Sequence, residues 1–239
     1  MFGKSGSGSQ NVEAATWKRA AWLRRNSRKD SDRMERTREY LMDVVEAAGV
    51  NVPSYLTLEQ LGKLAAGFAD TELVDVLSSS GMKEIIDVDC WFGSFSLFAT
   101  QCAGVKHAYA LLPEVTPEVA DFHYLNSAGS RITLMGGVVE RENRLSSDCR
   151  QQGRRLRRRI DTYEWEHVDL LKISPDIDAG DALLGAARTI EKCMPVIVIQ
   201  SYADRTVRPQ TIRGYSTMKK ARAYEVAGES IVSQAYFRC

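Results

Sequence analysis

The residues best placed to do chemistry sit at the ends of two apolar runs. In the first, Ile85 and Ile86 lead to Asp87, Val88 and Asp89, followed by Cys90-Trp91-Phe92-Gly93-Ser94-Phe95-Ser96. In the second, Val168-Asp169-Leu170-Leu171 leads to Lys172, Ile173, Ser174, Pro175 and Asp176. Each reads as a buried strand, a loop at its carboxyl end, and a helix. An open α/β sheet binds its ligand in that position. Lys172 and Asp176 are the polar pair best suited to binding or catalysis. The competing reading, which the sequence favours, is a lysine snorkelling from the sheet and an acid that N-caps the next helix.

A third stretch is purely basic. Arg150-Gln151-Gln152-Gly153-Arg154-Arg155-Leu156-Arg157-Arg158-Arg159 holds six arginines in ten residues. Guanidinium groups pair with phosphate oxygens in bidentate fashion, so such a run can make a dense phosphate-binding surface for RNA or another polyanion. The alternatives are a solvated loop or a contact with the acidic 40–125 region of a second copy. Motifs of the known nucleic-acid-binding modules are absent. No aromatic platform is evident beside the run, so phosphate contact without sequence preference is the expected mechanism.

The net charge of +1 conceals this clustering. Residues 40–125 carry three Lys/Arg against twelve Asp/Glu, whereas 205–222 carry six against none. Clustered charge of this kind bears on partners more than on fold. Hydrophobic content of 44% with 26% charged residues is ordinary for a globular chain. The longest apolar runs, such as 195–199, are too short to span a bilayer, so no membrane is expected. Five scattered cysteines form no C-x-x-C and have no histidine at ligand spacing. No metal site is expected, and an intracellular, cytoplasmic setting is the better reading. His107, His123 and His167 share no catalytic spacing and read as structural.

The elements that must position these residues follow from periodicity. Residues 1–10 read as a flexible Gly/Ser arm and 11–80 as a helical extension. Trp17, Trp22 and Leu23 there are too apolar for an isolated arm and should pack on their own domain or on another subunit, and a homo-oligomer formed through these helices is expected. Thr57 with Gln60 makes a capping box before Leu61, Leu64, Ala65 and Phe68. A further helix covers 71–79. From residue 81 to 239 strand and helix alternate: strands at 84–88, 107–111, 131–139, 168–173 and 196–201, with helices at 94–102, after Thr116-Pro117-Glu118, and at 178–192. Two β-rich runs, 219–226 and 230–237, are joined so tightly that they must pair antiparallel. The sum is an α/β, doubly wound sheet of about seven strands ending in an antiparallel hairpin.

That order of elements is the order of the class I S-adenosylmethionine-dependent methyltransferases, and over 84–237 the residues resemble the FkbM-like branch. The family's first motif, approximately Ile-Asp-Val-Gly-Ala-Asn-x-Gly-x-x-Ser, is matched by Ile86, Asp87, Val88, Gly93 and Ser96. Its later block, Val-Asp-Leu-Leu-Lys-Ile-Asp-Val-Glu-Gly followed by Leu-x-Gly-Ala, is matched by Val168 to Ile173, Leu183, Gly185 and Ala186, with Asp176 for the glutamate. The resemblance implies a seven-stranded Rossmann-like fold and, in an active member, S-adenosylmethionine held near Asp87, Gly93 and an acid after the second strand. Asp87 would hold water or the cofactor amine, or else cap its own loop. Glu140, after the third strand, stands where an acid often meets the adenine amino group.

The departures fall in that same pocket. Asp89 replaces the glycine that lets the backbone approach the cofactor, adding a Cβ and a charge. Leu112 stands where the family's acid holds the ribose hydroxyls, and Glu114, two residues on, is the only nearby substitute. Ser174 and Ile177 replace the later block's aspartate and glycine. Three readings follow: an active O-methyltransferase, a degenerate methyltransferase fold that binds RNA or another polyanion, and an assembly protein. The sequence favours the degenerate protein with binding or assembly work.

Overall fold

Val, Ile and Leu on both faces of a short run make a strand that must be covered on both sides. Glu84–Val88 (β1) is such a run, with Ile85, Ile86, Asp87 and Val88 all buried. The computed structural model describes residues 32, 34–43, 45–46, 49–69, 77, 80–88, 92–101, 103–126, 128–139, 144–145, 156–175, 177–202, 214–217, 224–226 and 229–238. The chain divides into two units, Met1–Leu41 and Met42–Cys239. In the first, residues 34–41 are helical and Arg36 Nε donates to the Asp32 carbonyl at 3.2 Å. The expected apolar anchors Trp17, Trp22 and Leu23 lie outside the described residues, as does most of the helix expected at 71–79.

The second unit is built on one mixed sheet. With β2 His107–Leu112, β3 Ile132–Gly136, β7 Leu170–Ile173, β8 Val196–Tyr202, β10 Tyr224–Val226 and β11 Glu229–Arg238, its order is β10-β11-β8-β7-β1-β2-β3, and β9 (Tyr215–Thr217) also pairs with β11. Strands β3, β2, β1, β7 and β8 run parallel, and β11 is antiparallel to both β8 and β10. The expected hairpin and doubly wound sheet are therefore present. The order reverses between β1 and β7, where Asp87 is in register with Lys172. Ligands of open α/β sheets bind at that crevice.

Helix α1 (Leu58–Ala69) opens with the expected capping box: Thr57 N donates to Gln60 Oε1 at 2.9 Å and Gln60 N to Thr57 Oγ1 at 3.2 Å. It packs against α2 (Ser94–Gln101), which buries Phe95 and Leu97 beside the sheet. Helix α3 (Pro117–Leu125) starts at Thr116, whose hydroxyl accepts from Val119 N at 3.4 Å.

Three local features differ from expectation. The run expected as one strand over 131–139 is two: Gly137, at φ 146°, turns β3 into a separate β4 (Val138–Val139). Strand β4 joins β5 (Arg144–Leu145) and β6 (Leu156–Arg158) in a small sheet, with Val138 opposite Arg157 and Arg144 opposite Arg157 on the other side. The helix expected over 178–192 is also two, α4 (Ala179–Gly185) and α5 (Ala187–Cys193), broken at Ala186 (φ −108°, ψ 10°). The break has a chemical cause. Asp161, in the 3-10 turn Ile160–Tyr163, accepts from Arg188 N (3.2 Å), Thr189 N (2.9 Å) and Thr189 Oγ1 (2.8 Å), and so caps α5 from another element.

Candidate functional site

Asp87 and Lys172 meet in the core. Lys172 Nζ lies 2.9 Å from Asp87 Oδ1 and donates to Ser174 Oγ at 3.1 Å, while Ser96 Oγ donates to Asp87 Oδ2 at 3.0 Å. The Lys172 and Asp87 side chains are 4% and 0% exposed. Lys172 does not snorkel; its ammonium lies 5.0 Å from the Phe95 ring centroid, under α2. The four polar groups join β1, β7 and the first turn of α2 at the switch point. An apolar environment makes this arrangement costly to leave half-made, because a buried charge without its partner has no solvent. Ser174, which stands where the resemblance expects an aspartate, closes the set as an acceptor for Lys172.

The loop after β1 is held from the other side. Gly93 is buried at φ +66°, a region that favours glycine. A Cβ at Gly93 would lie 2.6 Å from Nε2 of His123. That nitrogen is 2.6 Å from the Phe92 carbonyl, and since a carbonyl only accepts, Nε2 carries the proton. Among the described residues His123 Nδ1 is buried without a hydrogen-bond partner, and burial pushes the imidazole below its ordinary value against the pull of the Phe92 carbonyl. His123 is thus structural, as expected, but its link to the glycine loop was not legible: no spacing relates residue 93 to 123.

At the end of β2, Leu111 and Leu112 are 3% and 0% exposed. The Leu112 carbonyl accepts from Gly137 N at 2.8 Å, and a Cβ at Gly136 would sit 3.7 Å from Val115, so the chain after β2 lies against the end of β3. Glu114 is exposed there. Asp89, Glu140 and Asp176 lie outside the described residues, as do Arg150, Arg154 and Arg155.

The basic run corrects two expectations. Its end is not a free loop: Arg157 and Arg158 lie on β6. Arg159, half-buried, pairs with Asp161 Oδ2 at 3.1 Å, and Asp161 is itself fully buried. Nor is the run without aromatic neighbours. The Arg158 guanidinium lies 5.8 Å from the Tyr163 ring centroid and donates to its hydroxyl at 3.4 Å. Tyr163 meets Trp165 at 5.3 Å, Trp165 meets Tyr109 at 4.5 Å, and Tyr109 meets His107 at 4.6 Å between centroids. The sequence signal was there in Tyr163 and Trp165, a few residues past the run, but β2's contribution is non-local.

Among the described residues no three His, Cys, Asp or Glu side chains gather as metal ligands, and no helix is long and apolar enough to cross a membrane.

No family model matches the chain, and no curated protein matches it. Solved structures do. The N-terminal domain of human METTL16 is 11% identical, covering 85% of this chain and 81% of its own, with a TM-score of 0.51. The methyltransferase FkbM from Methylobacillus flagellatus is 15% identical over 87% of this chain and 60% of its own, at a TM-score of 0.48. The protein yhhF of Escherichia coli is 12% identical over 79% and 90%, at 0.49. Identities this low speak to fold alone. The chain has a seven-stranded, Rossmann-like α/β fold, which it shares with the METTL16 N-terminal domain.

Proposed function

We propose that this protein is a methyltransferase-fold binding protein: its cofactor pocket is degenerate and its basic surface takes RNA or a similar polyanion. The reading is carried by the end of β2, where the fully buried Leu112 offers no acceptor to a ribose. Glu114, the substitute acid two residues further on, is exposed. The close approach that Gly93 permits is to His123. A leucine in place of the ribose-holding acid supports a pocket that has lost S-adenosylmethionine. Lys172 belongs with Asp87 as a staple between strands, so it is not available as a general base.

One specific observation supports the second reading, an active O-methyltransferase. Asp87, Gly93, Ser96 and Lys172 all match the resembled motifs, and the first, third and fourth of them form one intact hydrogen-bonded set.

The test of the binding reading is the salt dependence of affinity for a single-stranded RNA, followed by fluorescence anisotropy. Counterion release makes affinity fall steeply between roughly 50 and 200 mM salt. A protein that binds no RNA at the low end of that range overturns the polyanion reading.

A further inference from the structure

We infer that Tyr163, with Arg158 laid over it, is a stacking site for an unpaired base of a single-stranded nucleic acid. This rests on the polyanion reading above and deepens it from phosphate contact to base contact. Three observations meet at this place. Tyr163 is only partly buried, although the ring behind it, Trp165, is 8% exposed and fixed by its Nε1 hydrogen bond to the Ile160 carbonyl at 2.9 Å. A ring held from behind by a rigid neighbour offers a face whose position costs little to maintain. The guanidinium on Tyr163 is held by a 3.4 Å hydrogen bond at a 5.8 Å ring distance, a loose contact that a base can displace. Arg158 is then free to pair with the flanking phosphate, and in the sequence it is the last but one of six arginines in a ten-residue stretch, the charge density that a single-strand backbone calls for.

The row continues past Tyr163. Tyr109 and His107 are half-buried on β2, and His107 Nε2 lies 2.9 Å from the exposed Thr133 hydroxyl on β3. Aromatic rings beside a basic stretch are what sequence-tolerant single-strand binders use, because every base has a π-face.

The experiment compares a labelled twelve-nucleotide single-stranded RNA with an abasic oligomer of the same length and charge, on the full chain. The RNA should bind about tenfold more tightly than the abasic oligomer, the gain of roughly one stacked base. Tyr163→Phe should bind RNA like the parent, because the ring remains. Tyr163→Leu, which keeps apolar bulk on Trp165, should lose most of the tenfold gain and leave abasic binding unchanged. Arg158→Lys should weaken RNA more than the abasic oligomer, since a lysine keeps charge without a planar fork. Equal affinity of the parent for both oligomers overturns the stacking site while leaving polyanion binding standing. Failure to bind either oligomer overturns both. The comparison on the parent chain needs no variant, so a poorly folded Tyr163→Leu does not blunt it.

Discussion

Removing one partner of the Asp87–Lys172 pair should be the most damaging single change at the switch point. Lys172→Met takes the ammonium from a carboxylate that is 0% exposed, leaving Ser96 Oγ, at 3.0 Å, among its donors. Breaking a buried pair in this way costs about 3–5 kcal/mol, because the remaining charge has lost both water and partner. For a unit of this size, each kcal/mol moves the midpoint by roughly 2–4 °C, so Tm should fall by about 6–20 °C. Asp87→Leu alone should cost a similar amount by stranding Lys172 beneath α2. The double variant Asp87→Leu, Lys172→Met should recover at least about 2 kcal/mol over the sum of the single changes, since neither charge is left buried. Urea denaturation of the four proteins measures this directly. Single variants that each lose less than about 1 kcal/mol, or a double variant that is simply additive, would refute the buried-staple account.

Three further outcomes follow from other groups. Asp161→Ala removes the acceptor for Arg188 N, Thr189 N and Thr189 Oγ1, and should cost about 2–3 kcal/mol and reduce helical content, read by denaturation and far-UV circular dichroism. Arg159→Ala, whose side chain is 36% exposed, should cost no more than about 1 kcal/mol after solvent screening. For His123, the sign runs from burial: its folded value lies below the unfolded value of about 6.5, so the unfolded chain takes up the proton first as pH falls. Stability should be complete above that value and decline below it until the folded His123 also titrates. The decline should be shallower in His123→Gln, and parallel pH–stability curves for the two proteins would remove His123 from the explanation.

What the sequence revealed was set by short-range signals. Apolar runs gave β1 to the residue, the Thr57–Gln60 box and Thr116-Pro117 gave two helix starts, and the tight link at 227–228 gave the antiparallel β10–β11 pair. What it hid depends on groups far apart in the chain. The small sheet pairs Val138 with Arg157, and neither strand announces the other. The helix break at Ala186 is invisible locally because its cap, Asp161, arrives from another element. Lys172 read as a snorkelling side chain because lysine usually is one; only the register of β7 against β1 brings it onto Asp87. The same holds for the ring row, where β2 and the turn at 160–163 each supply half.

Whether the end of β2 still receives a ribose decides between a binding protein and an active methyltransferase. Isothermal titration of the full chain with S-adenosylmethionine and S-adenosylhomocysteine tests it most directly. The closed end at Leu112 predicts no saturable binding up to about 1 mM of either compound, with measurable binding gained in Asp89→Gly combined with Leu112→Glu. A dissociation constant of about 1–10 μM for the parent protein would contradict the degenerate-pocket reading and return the chain to the active methyltransferases.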